Sequence, residues 1–198
     1  MRLRSGLLIG LFGLVVVLLG GWYFTIAIVL LTYIALLEFF RMAEFTGIRP
    51  ATKTTLFSCF IITISTDLEA IGFIDREIYN SILPICSVGI CTWLLLQPKS
   101  GTISDITASI FGLFYLGFLP SYWIKLRAIQ STVNNSSDGI LSFENFSNST
   151  GLYLTLISCL LIVASDIGSY FIGKSFGTRA LSPISPSKTI EGLIGGII

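Results

Sequence analysis

From Ser5 to Leu37 the chain runs without a single charged side chain. One helix crossing the roughly 30 Å of a bilayer's hydrocarbon needs about 20 residues. The run is therefore too long for one comfortable span and long enough for two short or tilted ones. Gly20-Gly21, near its middle, supplies a plausible tight turn, since glycine alone enters left-handed backbone without penalty. Spans are predicted at 5–20 and 22–40. Further apolar segments follow at 55–73, 79–97, 104–123 and 152–173, and a seventh begins near Ile190. Only 12% of the residues are charged and the mean hydropathy is +0.86, against about 25% charged residues in soluble domains. Too few polar side chains remain to cover a compact sphere. The predicted fold class is an all-α, polytopic helical integral membrane protein, with about six complete transmembrane helices and the start of a seventh. All of 1–198 is expected to form a single transmembrane domain.

The connections suit this reading. Arg49-Pro50 follows the second span, Asp75-Arg76-Glu77 separates the third and fourth, and Gln97 to Gly101 closes the fourth. Residues 125–150, rich in Asn and Ser, form the longest polar stretch and carry two glycosylation-type sequons at Asn145 and Asn148. With the N-terminus inside, only Arg76, Lys125 and Arg127 of the 12 basic residues fall outside. The positive-inside rule favours that orientation. It makes 174–189 a cytoplasmic loop and places 125–150 on the opposite side of the cell membrane. The apolar run Leu7 to Leu19 after Met1-Arg2-Leu3-Arg4 imitates a signal peptide. No small-residue cleavage site follows, so it reads as a retained first span.

Composition also excludes classes. The chain has no histidine, and Cys59, Cys86, Cys91 and Cys159 form no C-x-x-C pair, which argues against a Cys/His zinc site. A net charge of +1 without a basic stripe gives no nucleic-acid footprint.

Asp166 lies inside a hydrophobic span, where a carboxylate is costly and functional by default. Two readings compete: a packing residue bonded to a neighbouring helix, or a magnesium ligand near the cytoplasmic end of its span. Magnesium prefers carboxylate and phosphate oxygens and takes only one or two carboxylates from protein. Gly168, Ser169 and Gly173 beside it permit close helix approach or room for a ligand. The segment Lys174 to Thr189 follows, with Lys174, Arg179 and Lys188, two Ser-Pro pairs and Gly177. It is either an ordinary positive-inside loop or a compact anion site. Its order favours the second, because Ser185, Lys188 and Thr189 stand just before a helix N-terminus, where free amides favour phosphate. Elsewhere, Glu38 is expected to pair with Arg41 three residues on. Asp105 reads as an N-terminal helix charge or as support for the site.

The string D-x-G-x-Y-x-x-G-K-x-x-G from Asp166, followed by I-S-P-x-K-T-x-E-G-x-x-G-G from Ile184, resembles the phosphatidate cytidylyltransferases, or CDP-diacylglycerol synthases. Looser agreement comes from Glu38 to Met42 and from Asp105 to Gly117. The resemblance implies transfer of a cytidylyl group from CTP to phosphatidate, giving CDP-diacylglycerol and pyrophosphate, with Mg2+ as cofactor. It implies catalytic roles for Asp166, Ser185 and Lys188, Asp166 also holding the metal, and substrate contacts by Thr189, Lys174 and Arg179. CTP, phosphatidate, membrane lipids and a second copy of the chain are the expected partners. The family's main signature, with a K-D pair and a D-R-x-D ending, lies beyond this segment, so the chain is expected to be an N-terminal portion. The competing readings are a CTP-dependent polyprenol or lipid kinase and an ion-coupled transporter.

Overall fold

The second and third predicted spans are long helices that share a core with the fourth and fifth. This computed structural model describes residues 2–97, 101–129, 150–182 and 185–197. The predicted helices all form: α1 (Arg2–Leu19), α2 (Gly21–Phe45), α3 (Thr52–Ala70), α4 (Arg76–Leu96) and α5 (Ile103–Phe111). A π-helical stretch, Gly112–Phe118, joins α5 to α6 (Leu119–Ala128), and α7 (Thr150–Phe176) and α8 (Ile190–Ile197) follow. The turn between α1 and α2 falls at Gly20 and Gly21, both with positive φ (63° and 50°). Four helices are long and apolar enough to cross a membrane: Gly21–Phe45, Arg76–Leu96, Ile103–Ala128 and Thr150–Phe176. The polar stretch 130–149, with its sequons, and Lys99 lie outside the described residues. The chain divides into two compact units, Met1–Leu152 and Tyr153–Ile198.

In the first unit α3 is central, lying against α2, α4, the π-helical stretch and α6. It carries Lys53, Asp67 and Glu69, which explains why it is not among the four apolar spans. Its inner face is a row of hydroxyls: Thr55, Ser58, Thr63, Ser65 and Thr66 are buried there. Lipid cannot solvate such groups, so they turn inward. Thr63 and Thr66 donate to the carbonyls of Cys59 (2.8 Å) and Ile62 (2.7 Å). Thr25 of α2 donates to the buried Asp67 carboxylate at 2.7 Å. Around these pack Leu36, Phe40, Cys59, Ile62, Ile90, Leu94 and Leu113.

The π-helical stretch has a local cause. Pro120 lacks the N–H that the Leu116 carbonyl requires, and the Leu119 amide reaches back to Phe114. Gly112 and Gly117 let the widened helix approach its neighbours. A Cβ at Gly112 would stand 3.0 Å from the Phe40 ring, and one at Gly117 would strike Cys59. The outer surface is apolar, with Phe12 69%, Leu31 64% and Leu161 62% exposed. That inversion suits lipid and not water.

Two sequence expectations change. Glu38 is exposed, and the ion pair found among the described residues is Lys125–Glu69 at 3.1 Å; Glu38 and Arg41 do not pair. The segment after α7 is also not a plain loop. Strands β1 (Ala180–Ser182) and β2 (Ser185–Thr189) form an antiparallel hairpin that pairs Ala180 with Thr189 and Ser182 with Ser185. It is the one departure from an all-helical fold among the described residues.

Candidate active site

The second unit is a helix pair joined by this hairpin. Small residues make α7 and α8 fit, and the contacts run antiparallel. The Ser165 hydroxyl donates to the Gly196 carbonyl at 2.5 Å, a Cβ on Gly168 would strike the Gly195 carbonyl, and Gly192 lies against Ser169 and Gly173. With no side chain between them the backbones approach closely, the usual solution for helices that lack a hydrophobic drive to associate in lipid. A Cβ on Gly195 would come within 2.6 Å of Ile172.

The hairpin is fastened at its base by two residues of the K-T-x-E-G string. Thr189 caps α8: its hydroxyl accepts from the Gly192 amide at 3.2 Å, three residues on, as an N-cap should. It also fills the space above Gly173 and Gly177. Glu191, in the first turn of α8, accepts from the Thr178 hydroxyl at 2.8 Å and from the amides of Thr178 (3.3 Å) and Arg179 (3.4 Å). The Arg179 carbonyl takes the Ile190 amide at 3.0 Å. Glu191 and Thr178 were not singled out from the sequence. The signal was present, as a Thr at a helix start with an acid two residues on, but its partner lies 13 residues back, where spacing says nothing.

These bonds alter the expected anion site. Two first-turn amides of α8, those of Ile190 and Gly192, are already occupied, so phosphate binding cannot rest on free amides there. The side chains remain. Arg179 and Lys188 are exposed, and neither guanidinium nor ammonium has a partner among the described residues. Lys174 sits 5.6 Å from the centre of the Tyr170 ring. Side chains alternate along a strand, so Lys188 projects from the face of β2 opposite Thr189, with half-buried Ser185 on Thr189's side. Three cations, Lys174, Arg179 and Lys188, outnumber the one carboxylate, Glu191, so the charge of the hairpin region is positive.

Asp166 stands apart from this group. It is exposed on α7, and its carboxylate has no partner among the described residues. Gly173, which touches Thr189, lies seven residues on, about 10 Å along the helix at 1.5 Å per residue. Thus the structure groups Lys174, Arg179, Ser185, Lys188 and Thr189 at the hairpin and sets Asp166 about two turns deeper. Among the described residues no cluster of three or more acidic, His or Cys side chains forms a metal cage. A single free carboxylate fits magnesium, which draws its other oxygens from water and phosphate.

Fold and site together define a polytopic helical membrane protein that presents a basic hairpin at the end of a glycine-packed helix pair. The profile of the cytidylyltransferase family matches residues 1–198. Similar proteins include the phosphatidate cytidylyltransferase of Synechocystis, 40% identical over 91% of this chain and 62% of its own length. Phosphatidate cytidylyltransferase 4, chloroplastic, of Arabidopsis thaliana is 32% identical over the whole chain and 52% of its own length. The Bacillus subtilis phosphatidate cytidylyltransferase is 27% identical over the whole chain and 66% of its own length. No solved structure matches significantly. The chain belongs to the cytidylyltransferase family, and it spans between half and two thirds of the length of these relatives.

Proposed function

We propose that the protein transfers a cytidylyl group from CTP to phosphatidate, yielding CDP-diacylglycerol and pyrophosphate for phospholipid synthesis. The observation that carries this reading is 40% identity over 91% of the chain to a protein named for that activity. The basic hairpin supports it from chemistry. A phosphatidate phosphate oxygen attacks the α-phosphorus of CTP; that P–O bond forms as the bond from the α-phosphorus to the bridging oxygen breaks, and pyrophosphate departs with the electron pair. Little covalent work falls to the protein, so catalysis is positioning and charge neutralisation.

Lys188 and Arg179, exposed and without a side-chain partner among the described residues, neutralise the phosphates, and Lys174 draws anions to the surface. The Ser185 and Thr189 hydroxyls donate to phosphate oxygens, while Thr189 also keeps the hairpin seated on α7. Asp166 is the residue that would hold magnesium, whose charge would stabilise phosphate oxygens when bound. The positive-inside count supports a cytoplasmic position for the hairpin, the side on which CTP is available.

The relatives' names favour this reading over lipid-alcohol phosphorylation or ion-coupled transport. The test is CTP labelled separately at the α- and γ-phosphates, incubated with phosphatidate and the protein expressed from its complete reading frame. The α-label should enter the lipid and the γ-label should not. Entry of the γ-label into lipid would establish the kinase reading in its place.

A further inference from the structure

The segment from Gly177 to Arg179 carries the chain from the end of α7 into β1. It has no regular structure of its own, and its amides show what holds it. Gly177 donates to the Gly173 carbonyl at 3.1 Å, which only extends the last turn of α7. The other two amides end on one side chain. Thr178 and Arg179 donate to the same Glu191 oxygen at 3.3 and 3.4 Å, and the Thr178 hydroxyl donates to the other oxygen at 2.8 Å. The return bond runs from the Ile190 amide to the Arg179 carbonyl at 3.0 Å. Both backbone groups of Arg179 are thus tied to the first turn of α8. Arg179 and Lys188 are the immediate chain neighbours of the Ala180–Thr189 pair, so what fixes the Arg179 backbone also sets it beside that of Lys188.

Little else favours this arrangement. A lone two-stranded hairpin is marginal in water, and β1 has only 3 residues. Its cations repel one another, and Glu191 is the one acid in the sequence after Asp166. A carboxylate accepts on both oxygens, and bonds to a charged acceptor are roughly twice as strong as neutral ones. Glutamine accepts on one oxygen and would turn an NH2 donor toward N–H donors. Charge also separates two ways in which Glu191 could act on an anionic nucleotide. As a bare charge it repels phosphate, so removing it should tighten binding. As the anchor of the Arg179 backbone it aids binding, so removing it should weaken it.

We propose that Glu191 is a positioning residue for the nucleotide: it holds Arg179 beside Lys188 in the arrangement that receives phosphate. The substrate named here rests on the cytidylyl-transfer reading. In protein expressed from the complete reading frame, Glu191→Gln should raise the KM for CTP about tenfold or more, as expected from lost bonds to a charged acceptor. Its kcat should change less than about threefold, because saturating nucleotide repopulates the ordered hairpin. Thr178→Val, which keeps the amide bonds, should raise KM about two- to tenfold. The double variant should be no worse than Glu191→Gln, since both changes remove one shared interaction. Hydrogen exchange followed by mass spectrometry, without nucleotide, should be faster at the Thr178 and Arg179 amides in Glu191→Gln, and CTP should slow it again.

An unchanged KM in Glu191→Gln would overturn the proposal. A lowered KM would do so too, showing that the residue acts as a bare charge. A loss of kcat at constant KM would instead give Glu191 a part in the transition state, against a positioning role. If Glu191→Gln does not fold, Thr178→Val decides alone, and a normal KM there refutes the clamp. Wild-type protein that moves no α-label from CTP to phosphatidate would sink the cytidylyl reading, whereas unaltered exchange in Glu191→Gln would sink the clamp whatever the substrate.

Discussion

Thr189 and Lys188 are neighbours in sequence with separable work. The Thr189 hydroxyl caps α8 and its methyl group rests over Gly177. Replacing it with Val removes the cap, which costs about 1 kcal/mol, and a lowered Tm in detergent should follow; Thr189→Ser should restore it. Lys188 makes no such contact. Lys188→Gln should therefore leave Tm unchanged and lower lipid cytidylylation roughly tenfold to more than a hundredfold, the effect of losing a charge-assisted bond of ~1.5–3 kcal/mol in the transition state. Arg is not an equivalent point charge, so Lys188→Arg should also be impaired. Near-normal turnover in Lys188→Gln would reduce the hairpin cation to a topology signal. For Asp166, the Asn variant keeps the size and loses the charge a divalent cation needs. It should insert normally and lose activity, and retention of activity at limiting magnesium would exclude the metal role.

At the scale of elements, the pairing of α7 with α8 depends on the absence of side chains. A Cβ at Gly195 would overlap Ile172, and forcing extra volume into a packed contact costs typically about 1–3 kcal/mol. Cysteines placed at 165 and 196, in a background without the four native ones, should cross-link readily; adding Gly195→Leu should abolish the cross-link. Cross-linking that persisted would mean that the glycines are not what holds these helices together. The sequence shows the small residues of this pair but not their register. Which glycine meets which residue depends on the hairpin between the helices, and β1 and β2 are too short and too polar to signal a sheet by alternation. The Thr178–Glu191 clamp was hidden for the same reason.

For the whole molecule, the alternation of spans predicts that 174–189 and 125–150 lie on opposite sides of the membrane. Cysteines introduced at Ser187 and Ser137 should react with an impermeant thiol reagent from opposite sides, and labelling of both from one side would overturn the topology. The helical class and the order of the apolar segments were legible in the sequence because lipid admits almost no choice: each apolar run of sufficient length must satisfy its own backbone bonds as a helix. The basic segment and Asp166 were legible for a related reason, since charge near or within an apolar span has few bland explanations. Only the tertiary structure showed that α3, polar by composition, survives by turning its hydroxyls and Asp67 toward its neighbours. It alone set Thr189 against Gly173, about two turns along α7 from Asp166, and filled two α8 amides that had looked open to phosphate. Hydropathy is a property of each segment taken alone and can be read in order along the chain. Hydrogen-bond partners such as Thr25 with Asp67, or Arg49 with Asp105, are fixed only when distant segments are brought together, and no spacing in the sequence carries that information.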